Sequence, residues 1–417
     1  MAVKYSIPRG TYDILPDKSY VWDYVKRIFR ETATEFGYKE IVTPIFEKAD
    51  LFERSVGDTS DIIQKEMYKF NDNKGRVFAL RPEGTAPVVR SYVENSLHTS
   101  GGLQRLYYMG PMFRYDRPQK GRYRQFYQYG VEAIGSHHPY TDAEVIALQF
   151  TFLKRLGLKG IVLEINSLGN KASSDNYNKA LADYYAPHKE EICGDCTARL
   201  EKNPRRLLDC KVPTCKEIAK NAPVMLDYLD DECKEHFEAV QSYLKAMDVE
   251  YTINPRIVRG LDYYTHTAFE FLNNKLGAQN AVGGGGRYDG LVEQIGGKAS
   301  PGIGFAGGFE RLILSLEEEE LFMGAAPKPE IFTVVLGDNA LIKASALMQK
   351  LRAKKLCVEY DPSKTSMKAQ MKVANKIGAK YALIIGDDEI ESNKYMLKDL
   401  AESTQEALSE DELIAKF

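Results

Sequence analysis

Between Arg105 and Phe126 the chain carries Arg105, Arg114, Arg117, Lys120, Arg122 and Arg124 against one acid, Asp116, with Tyr115 and Tyr123 interleaved. A guanidinium grips phosphate through two parallel donors, and a basic loop between two strands can reach both a nucleotide and the end of an RNA. A solvated hairpin explains most charge runs. Here the clustering within a nearly neutral chain favours phosphate binding.

Four further segments have types and spacing suited to a polar pocket. In LRPEGT, Leu80 to Thr85, a carboxylate stands beside a glycine at a strand end, where it could receive an ammonium group; a turn before the next helix explains the hexapeptide equally well. VRGLDYYTHTAFEF, Val258 to Phe271, sets Arg259 ahead of an acid and a tyrosine pair. It then alternates as a strand, with Tyr264, His266, Ala268 and Glu270 on one face. His266 reads as an ordinary strand residue. AVGGGGRYDGL, Ala281 to Leu291, offers glycines that let a ligand approach the backbone. It lacks both the spacing of a dinucleotide fingerprint and the Lys-Ser/Thr ending of a Walker loop. In GIGFAGGFERLIL, Gly302 to Leu314, a glycine-rich strand feeds a helix whose first turns carry Glu310 and Arg311, where an arginine could clamp a terminal phosphate.

Near the C-terminus Lys364, Lys368, Lys372 and Lys376 recur every fourth residue opposite Met367, Met371, Ala374 and Ile377. At 3.6 residues per turn this predicts a basic stripe facing solvent and an apolar stripe facing a sheet. Solvated lysines are the default reading, but such a face could also meet RNA. Four of the six cysteines form C-x2-C-x13-C-x4-C from Cys193 to Cys215, which approximates a zinc-ribbon spacing. Without a secretory signal the default reading is reduced thiols; the second pair is wider than a knuckle, so zinc stays the weaker alternative and no metal ligand is assigned.

The elements that must position these groups come in blocks. A helix is expected over Lys18 to Phe36, closed by Gly37, then a β-rich run broken by Pro44, a hairpin between Lys65 and Pro82, and a helix over Ala86 to Asn95. Two aromatic strands flank the basic loop; a helix from Asp142 to Gly157 and the strand GIVLEINSLG follow. Residues 170–249 read as mostly helical and as inserted into a mainly antiparallel scaffold, which resumes at Glu250 and closes with a helix over Phe305 to Glu318. From Glu330 short apolar strands alternate with helices, predicting a small βαβ domain with a parallel sheet.

Composition bounds the rest. The 417 residues, 44% hydrophobic with 26 Tyr and 18 Phe, suit several packed domains and not a disordered chain. No apolar run approaches the roughly 20 residues of a membrane span, and the start MAVKYSIPRG has no apolar signal region, so a cytoplasmic protein without membrane attachment is expected. A net charge of −3, from 56 basic and 59 acidic residues, speaks against gripping nucleic acid over the whole surface. It leaves room for local basic patches.

In this order the segments resemble those of the histidyl-tRNA synthetases, which are class II aminoacyl-tRNA synthetases, and the likeness runs from PRGTYDILP at Pro8 through the C-terminal domain. YKEIVTPIFE looks like class II motif 1 with its dimer-interface proline, Pro44. MFRYDRPQKGRYRQFYQYGVEAIG looks like motif 2, and GIGFAGGFERL like motif 3. RGLDYYTHTAFEF and GGGGRYDGL resemble the two segments peculiar to the histidine-specific family. Proline, threonine and glycine enzymes share a similar C-terminal domain, and a catalytically silent paralogue shares the core. The two histidine-type segments argue against the former; Arg259 and residues 330–417 argue against the latter.

The resemblance implies an α+β fold: a six-stranded antiparallel catalytic sheet in two parts, 1–169 and 250–325, a helical insertion at 170–249, and an α/β anticodon-binding domain at 330–417, in a homodimer. It implies a ligase that activates histidine with ATP, assisted by Mg2+, and then transfers it to the terminal adenosine of its tRNA. By motif matching, Glu83, Gly84, Thr85, Gln128 and Glu132 would contact the amino acid, and Tyr263 and Tyr264 would close the imidazole pocket. Arg114, Asp116, Arg122 and Arg311 would meet ATP, and Arg259 would be the catalytic arginine beside Arg114 and Arg311. Asp116 stands where the family more often has glutamate. Arg117, Lys120 and Arg124 would guide the acceptor end of the tRNA; the lysine stripe with Lys368 and Lys372 could meet an RNA stem or loop elsewhere.

Overall fold

In the computed structural model, residues 5–56, 62–277 and 280–417 are described. The chain forms two units, Met1–Gly324 and Ala325–Phe417.

The first unit is organised by an eight-stranded sheet. Its order is Lys39–Glu40, Gln104–Phe113, Gln125–Ile134, Gly302–Gly308, Ala281–Arg287, Thr265–Asn273, Ile161–Ser167 and Thr252–Ile253. The six inner strands run antiparallel, and a short parallel strand is added at each edge. Side chains alternate between the two faces of a strand, which separates core from cleft. Along Gln125–Ile134, Tyr129, Val131 and Ala133 enter the core. Gln128, Gly130 and Glu132 take the opposite face.

Helices Pro16–Glu35 and Pro139–Arg155 cover the apolar face. Pro16 opens the first of these, where its missing N–H costs nothing, and Val21, Trp22, Val25, Phe29 and Ala33 lie buried at three- and four-residue spacing. Gly37, at φ 80°, takes the chain out of the helix. Phe29 meets Tyr107, Tyr129 and Phe152 at ring-centroid distances of 5.9, 5.0 and 5.1 Å. Truncating such a ring to alanine costs about 3–5 kcal/mol.

The last helix of this unit begins later than the sequence suggests. It spans Phe309–Glu318, because Phe305 to Gly308 pair with Val131 to Gln128 as strand. Pro44 falls between two short strands, Lys39–Glu40 of the large sheet and Phe46–Lys48 of a three-stranded sheet completed by Lys69–Asn71 and Val77–Leu80.

Between strands Ile161–Ser167 and Thr252–Ile253 the chain is helical: Lys171–Tyr185, Gly194–Lys202, Pro213–Ala219 and Asp231–Ala246, joined by single helical turns. Tyr177, Leu181, Tyr185, Leu207 and Met225 form a separate small core there with the cysteines. Two of these helices begin on linked caps. Asn170 accepts from Ser173 N (3.0 Å), Asp230 accepts from Cys233 N (2.9 Å), and Asn170 Nδ2 donates to Asp230 Oδ2 (2.6 Å).

The second unit is a five-stranded sheet ordered Val358–Glu359, Ile331–Val335, Tyr381–Ile385, Tyr395–Asp399, Gln405–Leu408. The first three are parallel, as the alternating pattern requires, but the last two are antiparallel, so the sheet is mixed. Antiparallel neighbours need no crossover: the short helix Asp387–Ser392 joins the third strand to the fourth, and a tight turn joins the fourth to the fifth. On helix Met367–Ile377 the four lysines are exposed or flank the exposed start, as expected, whereas Met367 is 42% exposed and does not join the buried stripe. Gln370 takes that place, accepting from Val335 N (2.8 Å) and donating to Val335 O (2.7 Å). Lys343 and Lys350 both pair with Glu410, which reduces the free positive charge of this unit.

Candidate active site

A cleft of about 460 Å³ opens on the polar face of the large sheet. It gathers residues far apart in sequence: Glu83 and Thr85, Arg114, Asp116 and Arg122, Gln128, Arg259, Tyr263, Tyr264 and Glu270, Gly283 and Gly284, and Glu310 and Arg311. Each group arrives on a different strand end or connection of the antiparallel sheet.

Three guanidiniums are held in the cleft, two of them on backbone carbonyls and one by side chains. Arg114 donates from Nε to Pro82 O (2.8 Å) with its guanidinium 5.3 Å from the Phe126 ring centre. Arg311 donates from Nη1 to Ala281 O (3.0 Å). Arg259 lies 3.4 Å from Glu270 and 5.4 Å from the Tyr264 ring centre. Burial lowers the pKa values of Arg114 and Arg311, and the other cleft arginines lower Arg311 further. Burial alone would do the same to Arg259, but Tyr264 and Glu270 outweigh it and hold its value up. Desolvated cations brought close together are costly unless an anion joins them.

Beside these arginines lies a polar pocket of uncharged side chains. The Tyr263 and Tyr264 rings sit 4.7 Å apart. Gln128 Oε1 and Arg259 Nε are buried without a hydrogen-bond partner among the described residues. Such groups are rarely left so, and they suit a polar ligand.

A carboxylate network runs inward from the wall. Glu83 accepts from Thr85 N (2.7 Å) and Ala86 N (2.8 Å), closing the start of helix Thr85–Glu94. Thr85 Oγ1 donates to Glu132 Oε1 (2.7 Å), and Tyr288 Oη donates to Glu132 Oε2 (2.6 Å). Burial raises the pKa of both carboxyls, Glu132 to about 8. Glu132 and Gly84 are not on the cleft surface itself. A Cβ at Gly84 would lie 2.2 Å from the Tyr108 ring, and one at Gly304 would lie 2.0 Å from Glu132 Oε2, so both glycines make room for neighbours within the wall.

The basic loop is tied down more than a solvated hairpin would be. Asp116 pairs with Arg122 (3.0 Å) and accepts from Arg117 N (2.6 Å). The Arg124 guanidinium stacks on Tyr115 at 3.9 Å, and Lys120 pairs with Glu318 (3.1 Å), while the Arg117 side chain is exposed. Lys368 and Lys372 belong to the second unit and are exposed on its helix.

Several residues of the site were not apparent from sequence. Arg287, directly after the glycine run, is fully buried. It pairs with Asp142 and Asp289 and donates to Ser136 O (2.9 Å). Asp142 also accepts from Thr267 Oγ1 (2.6 Å) and contacts His236 Nε2 (2.9 Å). Burial alone would raise the Asp142 pKa, but Arg287 and His236 outweigh it and hold it below the ordinary value. His266 breaks the expected alternation: at φ 45° its ring packs 5.4 Å from His236, on the Asp142 side rather than beside Tyr264. Arg206, Asp209 and Lys211 of the helical segment complete the cleft wall, and no motif marked them.

Comparison with known proteins agrees with this arrangement. The family model described as histidyl-tRNA synthetase matches residues 10–312, and that described as anticodon binding domain matches residues 330–417. A histidine–tRNA ligase of Pelotomaculum thermopropionicum is 49% identical over 404 residues, 97% of this chain and 95% of that protein. One from Bacillus licheniformis is 49% identical over 413 residues, 98% and 97% of the two chains. The crystal structure of apo S. aureus histidyl-tRNA synthetase superposes with a TM-score of 0.85 at 41% identity, covering 99% of each chain. The chain therefore belongs to the histidyl-tRNA synthetase family.

Proposed function

We propose that the cleft activates histidine with ATP and that the same chain passes the histidine to its tRNA. The observation that carries this reading is the convergence of Arg114, Arg259 and Arg311 beside a neutral pocket of Tyr263, Tyr264 and Gln128 in one cleft. The arginines suit a triphosphate, and the adjoining tyrosine pocket suits an uncharged ring with hydrogen-bonding groups.

In the first step the histidine carboxylate oxygen attacks the α-phosphorus of ATP, the bond to the β-phosphate oxygen breaks, and pyrophosphate leaves. Two anions must be brought together and charge builds on the leaving group. Fixed cations accelerate this, and a general base is not required. Arg259, held between Glu270 and Tyr264, is assigned the carboxylate and α-phosphate; Arg114, Arg311 and Arg122 are assigned the phosphates. Asp116, committed to Arg122, orients that guanidinium toward the nucleotide. Magnesium takes phosphate oxygens with one or two carboxylates, and Glu270, with its side chain about a third exposed on the cleft wall, fits that role. It would supply further neutralisation of the phosphates.

Histidine itself is assigned to the neutral pocket, with its ammonium toward Glu83, Thr85 and Gln128. Glu132 and Gly84 act from behind by fixing Thr85 and Tyr108. A pocket whose polar groups pair with an imidazole rejects apolar amino acids, which would leave those groups unpaired. In the second step a ribose hydroxyl of the terminal adenosine attacks the adenylate carbonyl and AMP leaves. Arg117, Lys120 and Arg124 on the loop are assigned to the acceptor end, and Lys368 and Lys372 to another part of the same tRNA.

The catalytic core is assigned to residues 1–169 and 250–325, the helical insertion to 170–249 and anticodon binding to 330–417. A homodimer is proposed through the face around Pro44, where Val42 is 81% exposed beside exposed Ile45 and Phe46. No helix among the described residues is long and apolar enough to cross a membrane; the enzyme is assigned to the cytoplasm, in keeping with a tRNA substrate. The test is aminoacylation: ATP-dependent attachment of labelled histidine to histidine tRNA is expected, and its absence with active cognate tRNA would contradict the assignment.

A further inference from the structure

We infer that the helical segment holds a structural zinc ion in a four-cysteine site. The Sγ atoms of Cys193, Cys196, Cys210 and Cys215 all lie within 4.8 Å of one another. All four cysteines are free, three are buried, and Cys193 is partly so. Zinc binds thiolate at about 2.3 Å in a tetrahedron, which sets neighbouring sulfurs about 3.8 Å apart. Cys193 and Cys210 stand at 3.8 Å. That spacing is nearly twice a disulfide bond, so the sulfurs are arranged for an ion between them rather than for a bond.

The backbone explains how a spacing that departs from the usual zinc ribbon still closes. Cys193 precedes helix Gly194–Lys202 and Cys196 lies in its first turn. Cys210 ends the helical turn Pro204–Asp209, and Cys215 lies in the first turn of Pro213–Ala219. The wider second interval is taken up by the link between those two elements, and Cys215 still reaches the other pair. Cys193 N points at Cys215 Sγ (3.3 Å), the kind of N–H to sulfur contact that supports a thiolate ligand. Binding releases the thiol protons to solvent and leaves a closed tetrahedral site with no open position, which makes the ion structural rather than catalytic.

The site also has a place in the architecture. Cys210 lies between Asp209 and Lys211, both on the wall of the active-site cleft. From the same connection Arg206 Nη2 donates to Gly260 O (2.8 Å), and Asn203 Nδ2 donates to Asp262 Oδ1 (3.1 Å), the residues that follow Arg259. A metal at the four sulfurs would fix this connection against the Arg259 segment, adding to the bonds that Arg256 makes to Lys220 O (2.9 Å) and Ala222 O (2.7 Å).

The experiment is metal analysis of the full-length protein expressed with zinc in the medium, together with cobalt titration of protein stripped by chelator. About one zinc per chain is expected, and cobalt should give sulfur-to-cobalt charge transfer with the intense visible bands of tetrahedral thiolate coordination. Cys210→Ser should lose the metal and those bands, whereas Cys357→Ser should keep both. Should Cys210→Ser fail to fold, the cobalt spectrum of the unmodified chain decides alone. Folded protein that takes up neither ion with its thiols reduced, or cobalt bands that survive Cys210→Ser, would overturn the site.

Discussion

Tyr288 Oη donates to Glu132 Oε2 at 2.6 Å, while Thr85 Oγ1 donates to the other oxygen at 2.7 Å, in a position with no solvent exposure. The two bonds favour the carboxylate, but desolvation dominates and raises the pKa to about 8. An unfolded glutamate titrates near 4.3. Between those values the folded chain keeps a proton that the unfolded chain has released, so stability is complete below the window and falls as pH rises through it.

Glu132→Gln removes that dependence. The melting temperature of the variant minus that of the parent should rise from about pH 5 to about pH 9. Glu83 has a shift of the same sign but is common to both proteins and cancels. A difference that stays constant with pH would contradict the burial argument.

Arg259 is held by Glu270 and Tyr264 without a backbone hydrogen bond, and its Nε has no partner among the described residues. Arg259→Ala should lower the rate of adenylate formation by about 10²–10³, the usual cost of removing one fixed donor to developing charge. Histidine affinity, measured by calorimetry, should change only a few-fold. A pure binding defect with the chemical rate intact would reassign the residue.

Asp142 and Arg287 form a fully buried pair. Asp142→Asn keeps the shape but leaves the guanidinium with Asp289 alone as counter-charge. A loss of about 3–5 kcal/mol is expected in denaturant unfolding, as for other broken buried pairs. An unchanged midpoint would show that Asp289 suffices.

Exposed Lys368 and Lys372 lie outside the unit that holds the cleft. Replacing both with alanine should weaken tRNA charging at low salt and reduce the salt slope by about 2, while leaving adenylate formation unaffected. Equal loss of both activities would rule out a role confined to RNA.

What the sequence disclosed and what it hid follow from one distinction. Arg114, Arg259, Arg311, Tyr263 and Tyr264 stand in short segments of unusual composition, and both strands flanking the basic loop were marked by their aromatic runs. Arg287 sat in such a segment too, yet its burial against Asp142 depends on a partner 145 positions away. Spacing carries no sign of that pairing. Arg206, Asp209 and Lys211 reach the cleft only because the helical segment folds back on it. The helix at Phe309 starts late for the same reason: pairing with Gln125–Ile134 overrides a helical pattern that local sequence alone would extend to Phe305. The near-neutral charge is likewise an average. Cationic groups collect in the cleft and on one helix, and acids such as Glu410 cancel others locally.

The most direct test is histidine-dependent exchange between ATP and labelled pyrophosphate, measured across the amino acids. Three arginines beside a neutral imidazole pocket predict robust exchange with histidine and little with any other. Exchange driven by a different amino acid, or none with histidine, would contradict the account.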